Sequence, residues 1–360
     1  MSILLFFIIL FVLVLVHELG HFLIAKRAGI RVDEFGIGFP PRLFGKKIGE
    51  TLYSFNLLPI GGFVKIFGEN PSEEATSGSD SERSFVNKSK WAQIAVLFGG
   101  VLFNVLFAWV LFTFGFLTGI PASPNEYPNA KVSDLKVVIG NVIPASPAGE
   151  AGVASGSEIV GIMREGVVSQ LSSEKISQFI REGGEFTLIT ERAGERSEYT
   201  LVPKKLEGVE GQVIGIQLAE VGIVTLPWYG ALYEGARTTL SSLALVTVAI
   251  TNFIIDAFTL NANLQEIAGP VGIVSLVGDA GALGFAYLIS FTAFISLNLA
   301  VINLLPFPAL DGGRIVFVII EAIKGSPIRA SIVNTANGIG FILLILLIIA
   351  VTYNDILRLL

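Results

Sequence analysis

The amino-acid sequence predicts a polytopic α-helical membrane protein with about four transmembrane helices, a cytoplasmic-side β-hairpin and one inserted β-rich domain. Its 360 residues have a mean hydropathy of +0.71, and 15% of them are charged. Soluble domains carry about 25% charged residues. The apolar residues form long runs, and the first run, Ser2 to Ala25, has the length of about 20 residues that a bilayer span requires. A polar stretch, residues 119–227, separates two of these runs and has the alternation and turn signals of short β-strands.

The other predicted spans are residues 94–117, 285–305 and 338–351. No Lys or Arg precedes Lys26, which favours a retained first span over a signal peptide. The segment from Lys26 to Lys90 holds ten of the 24 Lys and Arg residues, so the positive-inside rule places it in the cytoplasm and the polar insert outside. Residues 51–67 carry β-branched and aromatic residues on both sides of Pro59-Ile60-Gly61-Gly62, and this pattern predicts the hairpin.

Composition excludes several classes of function. The net charge is -6 and the sequence has no basic tail, so we expect no nucleic-acid partner. The chain contains no cysteine, which excludes disulfides, thiolate metal sites and cysteine nucleophiles. It contains two histidines, His17 and His21, so any histidine chemistry has to use this pair.

The two histidines form an H-E-x-x-H motif, His17-Glu18-Leu19-Gly20-His21, inside the first predicted span. On a helix, residues four apart lie on one face, so both imidazoles can bind the same Zn²⁺. Glu18 is then placed to act as general base toward the water that the metal activates. The alternative is a pair of histidines that only pack in a helix bundle. Ionisable residues within spans are costly and are usually functional, which favours the metal site.

Asp311 is the candidate for the third ligand. A catalytic zinc ion takes three protein ligands, and the chain offers no third histidine or cysteine. Asp311 is the single acidic residue between Asp279 and Glu321, and it follows a predicted span whose end is marked by Pro306 and Pro308. The alternative is that Asp311 only caps the next helix.

These assignments divide the chain into four predicted parts: the N-terminal membrane segment 1–118, the extracytoplasmic domain 119–227, an interfacial amphipathic helix region 228–268, and the C-terminal membrane segment 269–360. Residues 228–268 are apolar but interrupted by Asn252 and Asp256, so a fifth span is the alternative. We favour an interfacial position because the span before Asp311 has to run inward if Asp311 is to meet the histidines.

The chain resembles the site-2 protease family of intramembrane zinc metalloproteases, in particular the bacterial regulator of sigma-E protease branch. The resemblance is carried by the H-E-x-x-H motif, by Asn303 to Gly313 as N-x-x-P-x-P-x-L-D-G-G, by Gly62 to Glu69 and by Gly269 to Ile273. It implies that His17, His21 and Asp311 bind zinc and that Glu18 activates water. It also implies that the residues binding substrate are Asn303, Pro306, Pro308, Gly62 and Phe63.

The insert resembles a single PDZ-like domain through Val142 to Val160, although Ser157 and Glu158 stand where the domain pattern has an aspartate. The resemblance of the whole chain to the site-2 protease family implies an endopeptidase of the bacterial inner membrane with its active site toward the cytoplasm. Its expected partners are the lipid bilayer and single-pass membrane proteins such as anti-sigma factors, or remnant signal peptides. The alternatives are a catalytically silent adaptor that binds peptides through the PDZ-like domain, and a transporter.

Overall fold

The computed structural model describes residues 2–69, 73–127, 130–164, 167–169, 172–192, 194–205, 211–259 and 268–359. The α-helices in these residues are α1 (Ser2–Arg27), α2 (Glu73–Ser77), α3 (Lys90–Thr118), α4 (Pro147–Glu150), α5 (Ser173–Arg181), α6 (Trp228–Phe258), α7 (Pro270–Leu283), α8 (Phe285–Leu304), α9 (Asp311–Lys324) and α10 (Ala330–Leu359). The strands are β1 (Val32–Ile48), β2 (Thr51–Ile66), β3 (Ile120–Ala122), β4 (Lys131–Val142), β5 (Glu158–Arg164), β6 (Val167–Ser169), β7 (Phe186–Arg192), β8 (Glu195–Leu201) and β9 (Ile216–Thr225).

Five helices of the described residues are long and apolar enough to cross a membrane, namely α1, α3, α6, α8 and α10. Their apolar side chains remain largely exposed, as expected for helices that face lipid. The chain is therefore a membrane protein with several apolar helices and β-sheet regions, as the sequence predicts. Length and composition admit α6 as a fifth span, so the count of four spans stays a prediction.

The hairpin differs from its predicted form. β1 and β2 pair in antiparallel fashion, and the turn between them contains Gly49 at φ +63° and Glu50. Residues 51–67 are thus one arm of the hairpin, and the predicted turn at Pro59 to Gly62 is wrong. Residues 32–37 pair with 62–66 on one side, and residues 34–37 pair with 52–55 on the other, so the two-stranded ribbon folds back on itself. Gly61 has φ +123°, which permits the chain to bend where the sequence analysis predicted a turn.

The folded ribbon packs on the second half of α1. A buried apolar cluster joins α1, β1 and β2 to α3 and α9, and its members are Phe22, Ala25, Ile30, Val32, Phe35, Ile66, Phe85, Val96, Leu97 and Val318. Burying such side chains stabilises the fold by about 1.5–3 kcal/mol for each large residue. This cluster lies directly beyond the H-E-x-x-H turn of α1, so it holds the ribbon beside that turn.

The insert forms a second compact unit, residues 114–232 together with 282–287. Its sheet has the strand order β3-β9-β4-β5-β7-β8, and β6 pairs with β5. Helix α5 buries Ile176 and Ile180 against this sheet, around a core that includes Ile139, Ile162 and Leu188. An inserted β-rich domain is therefore present, as predicted.

A polar cluster holds the turn of the hairpin. Glu50 accepts from Lys26 Nζ at 2.6 Å and from Arg83 at 2.7 Å, so it ties the end of α1 to the segment before α3. The hydrogen bonds from Arg83 and Lys26 lower the pKa of the Glu50 carboxyl to about 2, from an ordinary value of 4.5. A lowered pKa means that the stabilisation is complete above about pH 4.5 and is lost as the pH falls toward 2.

We predict that Glu50→Gln lowers the free energy of unfolding by about 1 kcal/mol at pH 7, the size typical of a partly exposed ion-pair network. The difference from the wild type should shrink as the pH falls below 4.5 and vanish near pH 2, because the wild-type carboxyl is then protonated. Thermal unfolding in detergent measures it. Glu82→Gln, which removes an exposed acid one residue from Arg83, is the control. A Glu50→Gln difference that is independent of pH contradicts this account.

Candidate metal centre

Two helices bring three possible ligands to one point. His17 and His21 lie on one face of α1, and Asp311 is the first residue of α9. The Nε2 atom of His17 is 3.1 Å from Nε2 of His21 and 3.0 Å from Oδ2 of Asp311. The Nε2 atom of His21 is 3.3 Å from the same carboxylate oxygen. The three side chains are 9%, 8% and 16% exposed, in the order His17, His21, Asp311.

This spacing fits zinc. Nitrogen and oxygen ligands bind Zn²⁺ at about 2.0–2.2 Å in tetrahedral geometry, which separates neighbouring ligand atoms by about 3.3–3.6 Å. Two of the three separations, 3.0 Å and 3.1 Å, are slightly shorter than this, and the third, 3.3 Å, lies at the lower end of the range. His21 also has the required second contact, because its Nδ1 lies 2.8 Å from the Val96 carbonyl oxygen. A proton on Nδ1 donated to that carbonyl leaves the lone pair of Nε2 for a metal.

Asn104 gives His17 the matching contact from α3. Its amide lies 3.2 Å from Nδ1 of His17, and the residue is fully buried. Its Oδ1 atom is one of the few buried side-chain atoms in the described residues that lack a hydrogen-bond partner. Rotating the amide by half a turn exchanges its oxygen and nitrogen, and Oδ1 then accepts the Nδ1 proton of His17. The Nε2 lone pair of His17 is thereby also free for a metal.

Glycines in α1 and α3 allow this approach. A Cβ atom at Gly99 would lie 2.8 Å from the carbonyl oxygen of Gly20, so the two backbones are in direct contact. A Cβ atom at Gly100 would lie 2.5 Å from Nε2 of His21 and 2.7 Å from Nε2 of His17. Only glycine therefore leaves room for the two imidazoles at this position.

Glu18 connects the candidate centre to the hairpin. Its Oε2 atom accepts a hydrogen bond of 3.0 Å from the Val64 N–H. Val64 pairs with Phe35 on one side of its strand, and its N–H points to the other side, toward Glu18. The unpaired edge of residues 62–66 therefore faces α1. Glu18 and Val64 line a cavity of about 430 Å³ together with the three possible ligands.

Some of the residues predicted to bind substrate lie at the cavity, and others do not. Asn303 and Phe63 line the same cavity, and a Cβ atom at Gly62 would lie 4.0 Å from Cγ of Glu18. Pro306 is exposed, and Pro308 packs its carbonyl against Gly340 of α10, so neither is among the described residues that line the cavity.

Two ion pairs hold α9 and its aspartate in place. Arg314, one turn after Asp311, bonds to the carboxylate of Glu69 at the end of the hairpin. Glu321 binds Lys90 of α3 at 2.6 Å.

A profile of peptidase family M50 matches residues 5–347. The chain belongs to this family. A Clostridium perfringens protein named as a zinc metalloprotease is 36% identical over 345 residues, which are 96% of this chain and 95% of that protein. A Clostridium acetobutylicum protein with a similar name is 35% identical, with coverages of 96% and 94%. The zinc metalloprotease RasP of Oceanobacillus iheyensis is 29% identical, with coverage of 98% of both chains.

The M50 chain is therefore a zinc metalloprotease of the site-2 protease family, and Zn²⁺ is its cofactor. Family membership favours the enzyme over the adaptor and the transporter. In the described residues, His17, His21 and Asp311 form the one group of three or more His, Cys, Asp or Glu side chains that could hold a metal ion. The sequence analysis gave Gly100 and Asn104 no role at the site, although an asparagine within an apolar span is a signal of a polar contact.

We predict that Gly100→Ala lowers the zinc affinity of the peptidase at least tenfold, because the new methyl group occupies the space between the two imidazoles. Competition with a zinc chelator measures the dissociation constant. The matched control is Gly338→Ala in α10, where a Cβ atom would meet nothing within 4 Å. Wild-type zinc affinity in Gly100→Ala would show that the imidazoles do not bind the metal in this arrangement.

Proposed function

We propose that this M50 metalloprotease cleaves single-pass membrane proteins within the bilayer, with His17, His21 and Asp311 as zinc ligands and Glu18 as general base. The observation that supports this most strongly is the convergence of three ligand atoms and Glu18 on one cavity bounded by α1, which is a candidate span. Ionisable groups in such a helix are costly, and a metal that neutralises them offsets that cost.

Zinc held by His17, His21 and Asp311 would supply a Lewis acid that polarises a peptide carbonyl and lowers the pKa of water toward neutrality. Glu18 takes the proton from that water and delivers it to the leaving amine. The Val64 N–H holds one carboxylate oxygen of Glu18, so the other oxygen is oriented for proton transfer. Val96 and Asn104 hold the outer nitrogens of the two imidazoles, which keeps their inner nitrogens directed at the metal.

The hairpin edge offers a place for the substrate. A transmembrane helix has to unwind before cleavage, and its freed backbone groups then need partners in a medium without water. Addition as a strand beside residues 62–66 satisfies these groups. The Val64 N–H on this edge already donates to the Glu18 carboxylate. A strand added here therefore passes directly by that carboxylate. Gly62, Phe63 and Asn303 are then the residues nearest to the substrate, and Pro306 and Pro308 shape the loop that leads to Asp311.

We place the enzyme in a bacterial inner membrane, with the active site toward the cytoplasm and the insert outside. The charge of residues 26–90 and the bacterial sources of the relatives support this. Anti-sigma-factor-like proteins and remnant signal peptides are the proposed substrates, as the resemblance to the sigma-E regulator branch implies.

The inserted PDZ-like domain has a groove that suits a peptide. The groove has a volume of about 740 Å³ and lies between α5 and residues 212–218, with Ser173, Gln178 and Arg181 on the helix side. An extended peptide that lies between a helix and a strand gains backbone hydrogen bonds from the strand. We propose that this domain controls access and excludes substrates whose extracytoplasmic part has not been removed.

We predict that Glu18→Gln lowers the rate of cleavage by roughly 10²- to 10⁴-fold, because it removes the general base. Zinc content should remain at the wild-type level, because no ligand is lost. A cleavage assay with a membrane-embedded substrate and a zinc determination on the same preparation measure both. Asp279→Asn, which neutralises an exposed acid in α7, is the control and should cleave normally. Substantial cleavage by Glu18→Gln would refute its role.

We predict that replacing residues 120–225 by a short Gly/Ser linker permits cleavage of untrimmed substrate and preserves cleavage of trimmed substrate. The ends are suited to a short linker, because Leu226 N–H donates to the Phe116 carbonyl at 2.8 Å. Cleavage rates of the two substrates by the wild type and the variant measure the effect. If the variant instead cleaves the trimmed substrate more slowly, the domain recruits substrate and does not exclude it.

A further inference from the structure

The loop that leads to Asp311 contains an unusual backbone conformation. Ala309 has φ +76°, and the one other described non-glycine residue with positive φ is Asp134. Aspartate enters this left-handed region fairly readily, whereas alanine rarely does, because its Cβ crowds the backbone. Such a conformation persists only when its surroundings enforce it.

Helix α10 enforces the conformation from outside the loop. The Ala309 N–H donates to Oδ1 of Asn337 at 3.1 Å. One turn further along α10, Gly340 is buried, and a Cβ atom there would collide with the carbonyl oxygen of Pro308. The absence of a side chain at Gly340 thus allows α10 to approach the loop, and Asn337 supplies the hydrogen bond that fixes it.

The conformation of Ala309 is transmitted to Asp311 through a compact turn. Leu310 N–H donates to the Phe307 carbonyl at 3.1 Å, and Arg314 N–H donates to the Leu310 carbonyl at 3.2 Å, which starts α9. Gly312 and Gly313 pack against the backbone of residues 304–308 so closely that no Cβ would fit at either position. The turn therefore has little freedom, and the direction of the chain at Ala309 sets the position of the Asp311 carboxylate.

We propose that Asn337 is a positioning residue of the metal centre, which holds Ala309 in the left-handed conformation so that Asp311 reaches the two imidazoles. This inference rests on the proposed function, since it takes Asp311 as a zinc ligand. Asn337 lies 26 residues after Asp311, on a different helix, and acts through the backbone of the loop without touching the metal.

The test compares zinc dissociation constants of the purified full-length protein in detergent, measured by competition with a zinc chelator. Asn337→Ala should bind zinc roughly tenfold more weakly, the size typical of losing an outer partner of a ligand. Asn334→Ala, an exposed asparagine on the same helix, is the matched control and should bind as the wild type does. Alanine is a strong helix former, so neither change should disturb α10 itself.

The decisive variant is the double mutant Ala309→Gly with Asn337→Ala. Glycine adopts positive φ without steric cost, so the loop no longer needs the hydrogen bond to stay in place. We expect Ala309→Gly to bind zinc normally and to restore most of the affinity that Asn337→Ala loses. A role of Asn337 in general helix packing predicts the same tenfold loss in both backgrounds, and that result would overturn the proposal.

Asp311→Asn separates this inference from the proposed function. If Asp311→Asn loses zinc while Asn337→Ala binds it normally, the ligand assignment stands and the role of Asn337 is refuted. If Asp311→Asn keeps wild-type affinity, the ligand assignment itself falls, and the inference falls with it. Loss of zinc in Asp311→Asn and in Asn337→Ala, with rescue by Ala309→Gly, is the result that supports both.

Discussion

The direct backbone contact between α1 and α3 is the constraint on which the candidate metal centre depends. Gly20 of α1 meets Gly99 of α3 with no side chain between them, and Gly100 lies against both imidazoles. Small residues allow membrane helices to approach to this distance, where van der Waals contact and polar side chains hold them together. At this distance the Val96 carbonyl reaches His21 and Asn104 reaches His17, so one helix carries the imidazoles and the other orients them.

The centre concentrates polar groups where they are expensive to bury. Two imidazoles and a carboxylate lie together with little exposure, and Glu18 stands beside them. A buried carboxylate costs several kcal/mol unless it is paired, and a cation bound between Asp311 and the two imidazoles would offset this cost. Contacts outside the centre also hold it in place, because the pairs of Arg314 with Glu69 and of Lys90 with Glu321 attach α9 to the hairpin and to α3. The hairpin and α3 therefore hold the candidate centre, and α10 contacts the loop that leads to Asp311.

Local sequence patterns predict much of this arrangement. The spacing of His17 and His21 depends only on helix geometry, and the apolar runs follow from hydropathy, so both could be predicted without the fold. The hairpin turn could not, because Pro59 to Gly62 has turn composition but lies where a strand bends and changes partners. Asn104 contacts His17, 87 positions away in the sequence, and Asn337 contacts Ala309, 28 positions away. No local pattern reveals contacts between residues so far apart in the sequence. The interfacial position of α6 stays a prediction, because an apolar helix surface is common to helices that span a membrane and to helices that lie on it.

The central claim is that two imidazoles and one carboxylate hold the zinc, and X-ray absorption at the zinc edge tests it most directly. On the purified full-length protein, the account predicts a shell of nitrogen and oxygen ligands at about 2.0–2.2 Å, with the outer-shell scattering of two imidazole rings. His21→Gln should remove the scattering of one ring. A spectrum from the wild-type protein with the signature of one imidazole or none would contradict the account.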